Sequence, residues 1–555
     1  MEIRVLKKHE IDLAKELIYM TFHECVIANC CEKEISDFYN FNQIENFHRL
    51  IEEGHLVALG VLDDENLIAV ALLMDYQFLK AIYVKKGYQR QGIGTQLLNK
   101  VKNLVCEDLI VYPHEKVTHF FYKNGFKKDS QHSEPSLVYC SIHTHQFENY
   151  DQVHHFISQQ KKRVYALDHF KKFMNDLCQP QTLLKAIHIG GTNGKGSTTN
   201  YIRSVLQKAG YKVATFTSPV LVTRLEIMRI NDCYIQEEEI IKYANRYMSL
   251  WLEYELSMFE IEVFIAIMFF LKHRVNYAIF EVGLGGELDA TNIIMPMIAA
   301  NTNIGLDHVE YLGNTYEQIA FTKGGIIKKQ TPFITGEKKQ VCLDVFKALC
   351  QKQQSPFLQV PPVSHICEHM DSISYQYANY QIELNTSAMY QVENSALAIS
   401  ILLYLKANGY VYFTDEDLLS GIKEAVWAGR FEIMHHDPLI IIDGAHNKEG
   451  VEAFFHSAKK YKDIKIIFSA LKDKDTHHML EKLLELTDDV TVCEFDFYRA
   501  QSAEKLAENF PVKIEKDWKI AVDTALSQEK NVFITGSLYF ISQVRAYLLS
   551  KKYNL

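Results

Sequence analysis

Residues 189–200 read IGGTNGKGSTTN, between the apolar run Leu183–Ile189 and the helical-looking YIRSVLQKAG. A glycine-rich turn from a buried strand into a helix is built to hold an anion. Glycines let backbone N–H groups wrap phosphate oxygens, and the helix adds its positive end. The spacing departs from the usual phosphate loop, which places four residues between its first glycine and Gly-Lys-Ser/Thr. Here Gly190 and Gly191 stand too close to Gly194-Lys195, and Gly196 separates the lysine from Ser197. Gly191, Thr192, Asn193, Gly194, Lys195, Gly196 and Ser197 are the candidate phosphate contacts. Lys195 would supply an ammonium for the outer phosphates and Ser197 a hydroxyl near a magnesium ion.

From about residue 156 to 428, strand-like and helix-like segments alternate: LLKAIHI, a helix, KVATFT, a helix through 259–272, NYAIFEV, then MIAANTNI. Such alternation predicts a mostly parallel sheet covered by helices on both faces. Three clusters sit where its strands should end: TSP (217–219), EVGLGGELDATN (281–292) and NTNIGLDHVEYLGNT (301–315). Ligands of open α/β sheets bind outside the carboxyl ends of the strands. Ser218, Glu281 and His308 are therefore expected to converge beside the loop, and a hydroxyl, a carboxylate and an imidazole suit a partly hydrated magnesium ion. A second alternating run begins near Arg430 with PLIIID, IKIIFSAL, DVTVCEF and NVFITG, and predicts a smaller α/β domain.

At 555 residues the chain exceeds one core, and about 150 residues per domain suggests three or four. A formal net charge of −10 without a long basic run argues against a nucleic-acid partner. The longest apolar stretch, Val263–Leu271, is shorter than the roughly 20 residues a bilayer requires, so it is expected to be a buried helix. The charged, amphipathic start MEIRVLKKHEIDLAKEL has no signal-peptide core. Eleven cysteines without a CxxC form no disulfide framework. The adjacent Cys30-Cys31 fits a redox or metal site, but buried reduced thiols are the preferred reading. A soluble, cytoplasmic monomer without a membrane partner is expected.

GTNGKGS, TSP, EVGLGGELDATN, TNIGLDH, LGNT with IAFTKGGIIK, WAGRFE (427–432), DGAHN (443–447), SALKDKD (469–475) and GSLY (536–539) follow one order. Over residues 156–555 the chain resembles folylpolyglutamate synthase/dihydrofolate synthase, a branch of the Mur-type ATP-dependent ligases. The resemblance implies that ATP phosphorylates a carboxylate of a reduced folate or of dihydropteroate. The amine of L-glutamate then attacks the acyl phosphate, which must be shielded from water in a closing cleft. It also implies that Ser218, Glu281 and His308 bind Mg2+, that Lys323 is carbamylated, and that Asn292 supports the site. Arg430, Asp443 and His446 are implied to act from the C-terminal domain, with Gln391 and Asn394 on the ATP side. This chain departs from the family pattern at Thr322, where a glutamate is common, and at Tyr390, where a histidine precedes the glutamine. After TSP the usual Glu-Arg is replaced by Glu226-Ile227, with Arg224 and Arg229 the nearest arginines. Another acid–amine pair in a Mur-type ligase remains an alternative, as does an acetyltransferase carrying a nucleotide-binding regulatory module.

Residues 1 to about 140 hold the hairpin-like HLVALGVLDDENLIAVALLM, turning at Asp63–Asn66, then LKAIYV and the helical TQLLNKVKNLV. Between the last two, KKGYQRQGIGTQLL places Gln89, Arg90, Gly92 and Gly94 at a helix start, where backbone N–H groups can approach a pyrophosphate. With FFYKNGF (120–126) after EDLIVYP, the region resembles the GNAT-type N-acetyltransferases. That resemblance implies acetyl-CoA binding at the loop and Tyr122 as proton donor to the leaving thiolate. LKAIYV carries no carboxylate, so a water chain or Glu107/Asp108 are the candidate bases. The expected architecture is a multidomain α/β chain. It comprises a GNAT-like domain (1–140), a linker (141–155), a central P-loop Mur-ligase-like domain (156–428) and a smaller Rossmann-like C-terminal domain (429–555).

Overall fold

The computed structural model describes residues 1–105, 108–114, 117–128, 136–139, 147–160, 166–528 and 530–551. Two compact units divide the chain: Met1–Lys185, Ile235–Asn276 and Ile293–Met295 form the first, Ala186–Tyr234, Tyr277–Asn292 and Pro296–Leu555 the second.

A seven-stranded mixed sheet forms the heart of the first unit. Its hairpin pairs Leu56–Asp63 with Asn66–Met74, from Leu56↔Met74 to Asp63↔Asn66, as the sequence leads one to expect. Both strands are buried at nearly every position, which explains why they read as continuous apolar runs rather than alternating ones. Phe78–Val84 pairs in parallel with Leu109–Val111 only at Phe78↔Ile110 and Leu79↔Val111. The pairing ends at Leu79↔Val111, where Leu109–Val111 itself ends. The helix Ile93–Asn103 starts after this strand, with Gly92 as its left-handed cap at φ 84°.

The helices Glu237–Glu253 and Met258–Lys272, expected within the central domain, group with this first unit. Met258–Lys272 is buried along almost its whole length, as Val263–Leu271 suggested, and among the described residues no helix is long and apolar enough to cross a membrane. Glu237–Glu253 caps the far end of Ile93–Asn103. Arg246 donates from Nη2 to the Lys102 carbonyl (2.8 Å) and from Nε to that of Val105 (3.2 Å), while the Tyr247 hydroxyl donates to the Asn103 carbonyl (3.0 Å). A helix C-terminus presents orphan carbonyls and partial negative charge, and a guanidinium answers both. Cys178 and Leu183 also pack into the apolar cluster that holds Val57 and Leu97. In the expected linker, 141–146 lie outside the described residues, and Tyr150–Gln159 is a helix capped by the Asn149 side chain.

The second unit carries an eight-stranded sheet in the order Cys233–Tyr234, Met228–Ile230, Val213–Phe216, Tyr277–Glu281, Ala186–Gly190, Ile298–Asn301, Phe333–Thr335, Phe357–Gln359. The six strands from Val213–Phe216 onward run parallel; Met228–Ile230 is antiparallel to both of its neighbours. A six-stranded sheet follows in the C-terminal region, parallel except for the pairing of Glu432–His436 with Leu439–Asp443. Alternation alone did not reveal a small antiparallel sheet of Ser364–Glu368, Ile373–Tyr377 and Tyr380–Leu384. It packs on the helix Tyr390–Ala407 through Tyr375, whose hydroxyl bonds the Ser395 hydroxyl at 2.7 Å.

Replacing Arg246 by alanine removes two hydrogen bonds to helix-terminal carbonyls. Chemical denaturation should show the first unit destabilised by about 1–3 kcal/mol, with little change in the second unit's transition.

Candidate active site

Parallel register brings the sequence motifs to one edge. Ile189 pairs with Glu281, Gly190 with Asn301, and Phe216 with Phe280, so the carboxyl ends of four strands finish level. From those ends leave the glycine loop, TSP, EVGLGG and TNIGLDH.

The glycines of the loop each answer a close approach. At Gly191 (φ +135°) a Cβ would lie 1.8 Å from Thr302 Oγ1, and at Gly194 (φ +85°) 2.0 Å from Asn394 Oδ1. At Gly196 it would press on Trp427 at 3.1 Å and on Glu281 Oε2 at 3.3 Å. Thr192 N–H donates to the Asn303 carbonyl (2.9 Å), and Asn193 N–H to the Asn303 side chain (3.1 Å). Lys195 opens the helix Lys195–Lys208, and its Nζ reaches the carbonyls of Gly191 and Thr192, both at 3.2 Å. Gln391 and Asn394, on the helix Tyr390–Ala407, turn toward the loop from behind. Gln391 Nε2 donates to Ser197 Oγ (3.2 Å), and Asn394 Nδ2 donates to Gln391 Oε1 (3.0 Å). Their side chains brace the loop.

Glu281 is buried against Gly196 and accepts the Ser218 N–H at 3.2 Å, so two of the expected metal-binding residues are in contact. Burial pushes its carboxyl up to about 7, against the pull of Lys195 and Arg430. His308 has a left-handed backbone (φ 52°), and its imidazole lies 4.0 Å from the Asp307 carboxylate. Burial lowers the pKa of this imidazole, and Lys474, Lys323 and Lys195 push the same way. Lys323, in the helix Tyr316–Gly324, is buried with Nζ 2.9 Å from the Gly191 carbonyl. Desolvation, with Lys195 adding to it, brings its amine down to about 7. A lysine held near neutrality is a nucleophilic amine. Asn292 donates to the carbonyls of Glu287 (2.9 Å) and Gly325 (3.1 Å), tying the EVGLGG loop to the end of the Lys323 helix.

The C-terminal sheet contributes from the end of Leu439–Asp443. Asp443 accepts from the N–H groups of Phe431 and Ala445, both at 2.8 Å, and from the Tyr390 hydroxyl at 2.7 Å. Tyr390, a departure from the family pattern, is thus the phenol that fixes this carboxylate. Arg430 lies against Gly444, where a Cβ would come within 2.4 Å of its Nη1. His446 donates from Nδ1 to the Gly444 carbonyl at 2.7 Å, and burial pushes its imidazole down to about 4.

Three residues inside quoted motifs went unassigned in the sequence. Asn447 caps the helix Lys448–Ala458 and donates from Nδ2 to Asn193 and to Asp307, both at 3.1 Å. Lys474 Nζ bonds Asp307 Oδ1 at 2.9 Å. Asp307 thereby joins the glycine loop, DGAHN and SALKDKD in one network, and Lys474, His308 and Asn447 hold its carboxyl well below the usual range against the effect of burial. The motifs contained these residues; their shared partner is invisible until the chain is folded. Of the departures after TSP, Glu226 gathers the N–H groups of Leu221 (2.9 Å), Val222 (3.2 Å) and Thr223 (3.3 Å), while Arg229 turns to Asp232 at 2.8 Å. Thr322 donates to the Gln318 carbonyl within its own helix at 3.1 Å.

In the first unit, Gln89 Nε2 donates to the Val84 carbonyl (2.9 Å), Arg90 has φ 62°, and Gly92 caps the helix start. At Gly94 a Cβ would meet only ordinary contacts, the nearest being the Phe120 ring at 3.6 Å. Tyr122 stands on the short helix Thr118–Lys123, 47% exposed. Asp108 is exposed just before Leu109–Val111, and Glu107 lies outside the described residues.

Residues 189–402 match the family described as Mur ligase middle domain, 429–538 the Mur ligase glutamate ligase domain, and 26–136 the acetyltransferase (GNAT) domain. The dihydrofolate synthase/folylpolyglutamate synthase of Bacillus subtilis is 35% identical over 405 residues, covering 68% of this chain and 94% of the relative. A crystal structure of Thermotoga maritima folylpolyglutamate synthase superposes with a TM-score of 0.63 at 30% identity, over 73% of this chain and 97% of that one. Escherichia coli FolC in complex with DHPP and ADP gives 0.67 at 25% identity, over 74% and 100%.

His446 stays neutral in the folded chain down to about pH 4, against 6.5 ordinarily. Because only the unfolded state takes up the proton in that window, stability is lost as pH falls from 6.5 toward 4. His446→Gln should lessen that acid-induced loss by about 2–3 kcal/mol relative to the wild type, read from denaturation midpoints across the window.

Proposed function

The chain belongs to the dihydrofolate synthase/folylpolyglutamate synthase family, and we propose that it joins L-glutamate to a folate-type acid at the expense of ATP. The observation that carries this reading is the level edge of the central sheet, where Lys195, Glu281, Lys323 and the Asp307 network gather on one anion-sized loop.

In this reading the N–H groups of the loop and the Lys195 ammonium hold the ATP phosphates. The substrate carboxylate attacks the γ-phosphorus and ADP leaves. The amine of L-glutamate then attacks the acyl carbon, phosphate departs, and the amine proton passes to solvent or a nearby base. Arg430 offers charge to the phosphoryl group in transit, with Asp443 and its three donors holding the Arg430–Gly444 turn in place. His446, held neutral with its Nδ1–H on the Gly444 carbonyl, presents its other ring nitrogen as a hydrogen-bond acceptor.

Ser218 and Glu281, joined through the Ser218 N–H, offer a hydroxyl and a carboxylate, oxygen donors of the kind that magnesium takes. Ser218, Glu281 and His308 would hold the ion, which supplies neutralisation of phosphate charge. Lys323, near neutral at about 7, has the amine form that carbon dioxide captures as a carbamate. In the first unit, the Gln89–Gly94 loop would bind the pyrophosphate of acetyl-CoA, and Tyr122 would protonate the departing thiolate.

ADP release is expected only when a folate acceptor, L-glutamate and magnesium are all present. Comparing reduced folate with dihydropteroate separates chain extension from dihydrofolate synthesis. Lys195→Ala should lower kcat/KM by about 10²–10³-fold, and full turnover in that variant would overturn the assignment. Acetyl-CoA binding to the same chain, measured by calorimetry, should weaken at least tenfold in Arg90→Glu and leave ligation unchanged.

A further inference from the structure

We propose that Cys30, Glu34 and His114, in the first unit, form a binding site for a zinc-class divalent cation. The Cys30 thiol, a Glu34 carboxylate oxygen and a His114 ring nitrogen all lie within 4.8 Å of one another. Among the described residues no other set of three cysteine, histidine or acidic side chains comes together in this way. The sequence marks Cys30-Cys31 as notable, but the expectation of buried thiols fails: Cys31 is exposed and Cys30 half-buried.

Local structure presents all three donors. Cys30 follows the short turn Ile27–Asn29, and Glu34 sits in the first turn of the helix Glu32–Phe41. One Glu34 oxygen accepts the Cys31 N–H at 2.7 Å, which holds the carboxylate beside the cysteine pair. His114 comes from the segment after Leu109–Val111, where its carbonyl accepts the Val117 N–H at 3.0 Å and anchors the backbone. Held ligands of this kind are typical of metal sites.

The donor set selects the ion. One sulfur, one nitrogen and one oxygen suit zinc, whereas magnesium and calcium take oxygen ligands. Three protein ligands leave a fourth tetrahedral position for water or an incoming group. Cation binding forms a thiolate–metal bond and expels the thiol proton to solvent.

The three donors come from separate parts of the first unit. Gln89, the first residue of the candidate pyrophosphate loop, lies with Nε2 3.6 Å from Cys25 Sγ, on the helix that precedes Cys30. His114 follows Leu109–Val111. A bound cation would therefore tie the Cys30–Glu34 segment to the chain beyond that strand.

The test uses the full chain with excess magnesium present to saturate the ligase site. Zinc is titrated against a chromophoric chelator, and cobalt substitution reads the sulfur-to-metal charge-transfer band of a thiolate ligand. We expect one zinc per chain and a thiolate band with cobalt. Affinity should fall by more than about 100-fold in Cys30→Ser and in His114→Ala, and stay unchanged in Cys31→Ser. Ligase turnover and circular dichroism verify folding; if Cys30→Ser does not fold, His114→Ala carries the test. No stoichiometric zinc, zinc held without the cobalt thiolate band, or undiminished affinity in His114→Ala would each overturn the proposal.

Discussion

In the second unit Ile189 pairs with Glu281 and Gly190 with Asn301, and the charged groups of the ligase site take their places from that parallel register. A slip of one residue would turn every side chain to the opposite face. Glu281 would leave the loop, and the segment that carries Asp307 and His308 would start from a different level. A slip would take Ile187, Ile189 and Ile279 away from the cluster they form with Ile202, Val205 and Leu206. The electrostatics follow. Glu281 and Lys323 are buried with Lys195 beside them, and burial shifts the carboxylate and the Lys323 amine each to about 7. Perturbed groups gathered in this way are characteristic of functional sites.

The same packing explains the shortened phosphate loop. Gly191 is pressed by Thr302, Gly194 by Asn394, and Gly196 by Trp427 and Glu281. These neighbours come from the Ile298–Asn301 strand end, the Tyr390–Ala407 helix, the segment before the C-terminal sheet and the Tyr277–Glu281 strand end. The loop is tight because four separate segments close on it. The irregular spacing fits these surroundings, with the Thr192 and Asn193 N–H groups held by Asn303.

Much of this was legible along the chain. The hairpin, the parallel strands and the buried helix at Met258–Lys272 follow from runs of apolar residues whose length and flanks admit little else. Less legible were the groupings. Glu237–Glu253 lies in sequence between strands of the central sheet, yet Arg246 and Tyr247 spend their polar atoms on the helix Ile93–Asn103. Composition carries no sign of that, because a capping arginine looks like any surface arginine. The helix Tyr150–Gln159 was obscured by polar residues that read as a linker, and the small antiparallel sheet by its short, half-exposed strands.

By itself, the sequence determined the chemistry on offer: a glycine loop with one lysine, strand-end hydroxyl, carboxylate and imidazole groups, and a second glycine loop at a helix start. Those are local facts, set by residue type and by strand-to-helix turns. Only the tertiary structure decided which groups meet. Asp307 joins Asn447 and Lys474, Tyr390 takes Asp443, and Cys30 finds Glu34 and His114. The physical reason is that hydrogen bonds and metal ligation act over about 3 Å, whereas most of these partners stand tens to hundreds of residues apart in the chain. Packing alone brings them within reach.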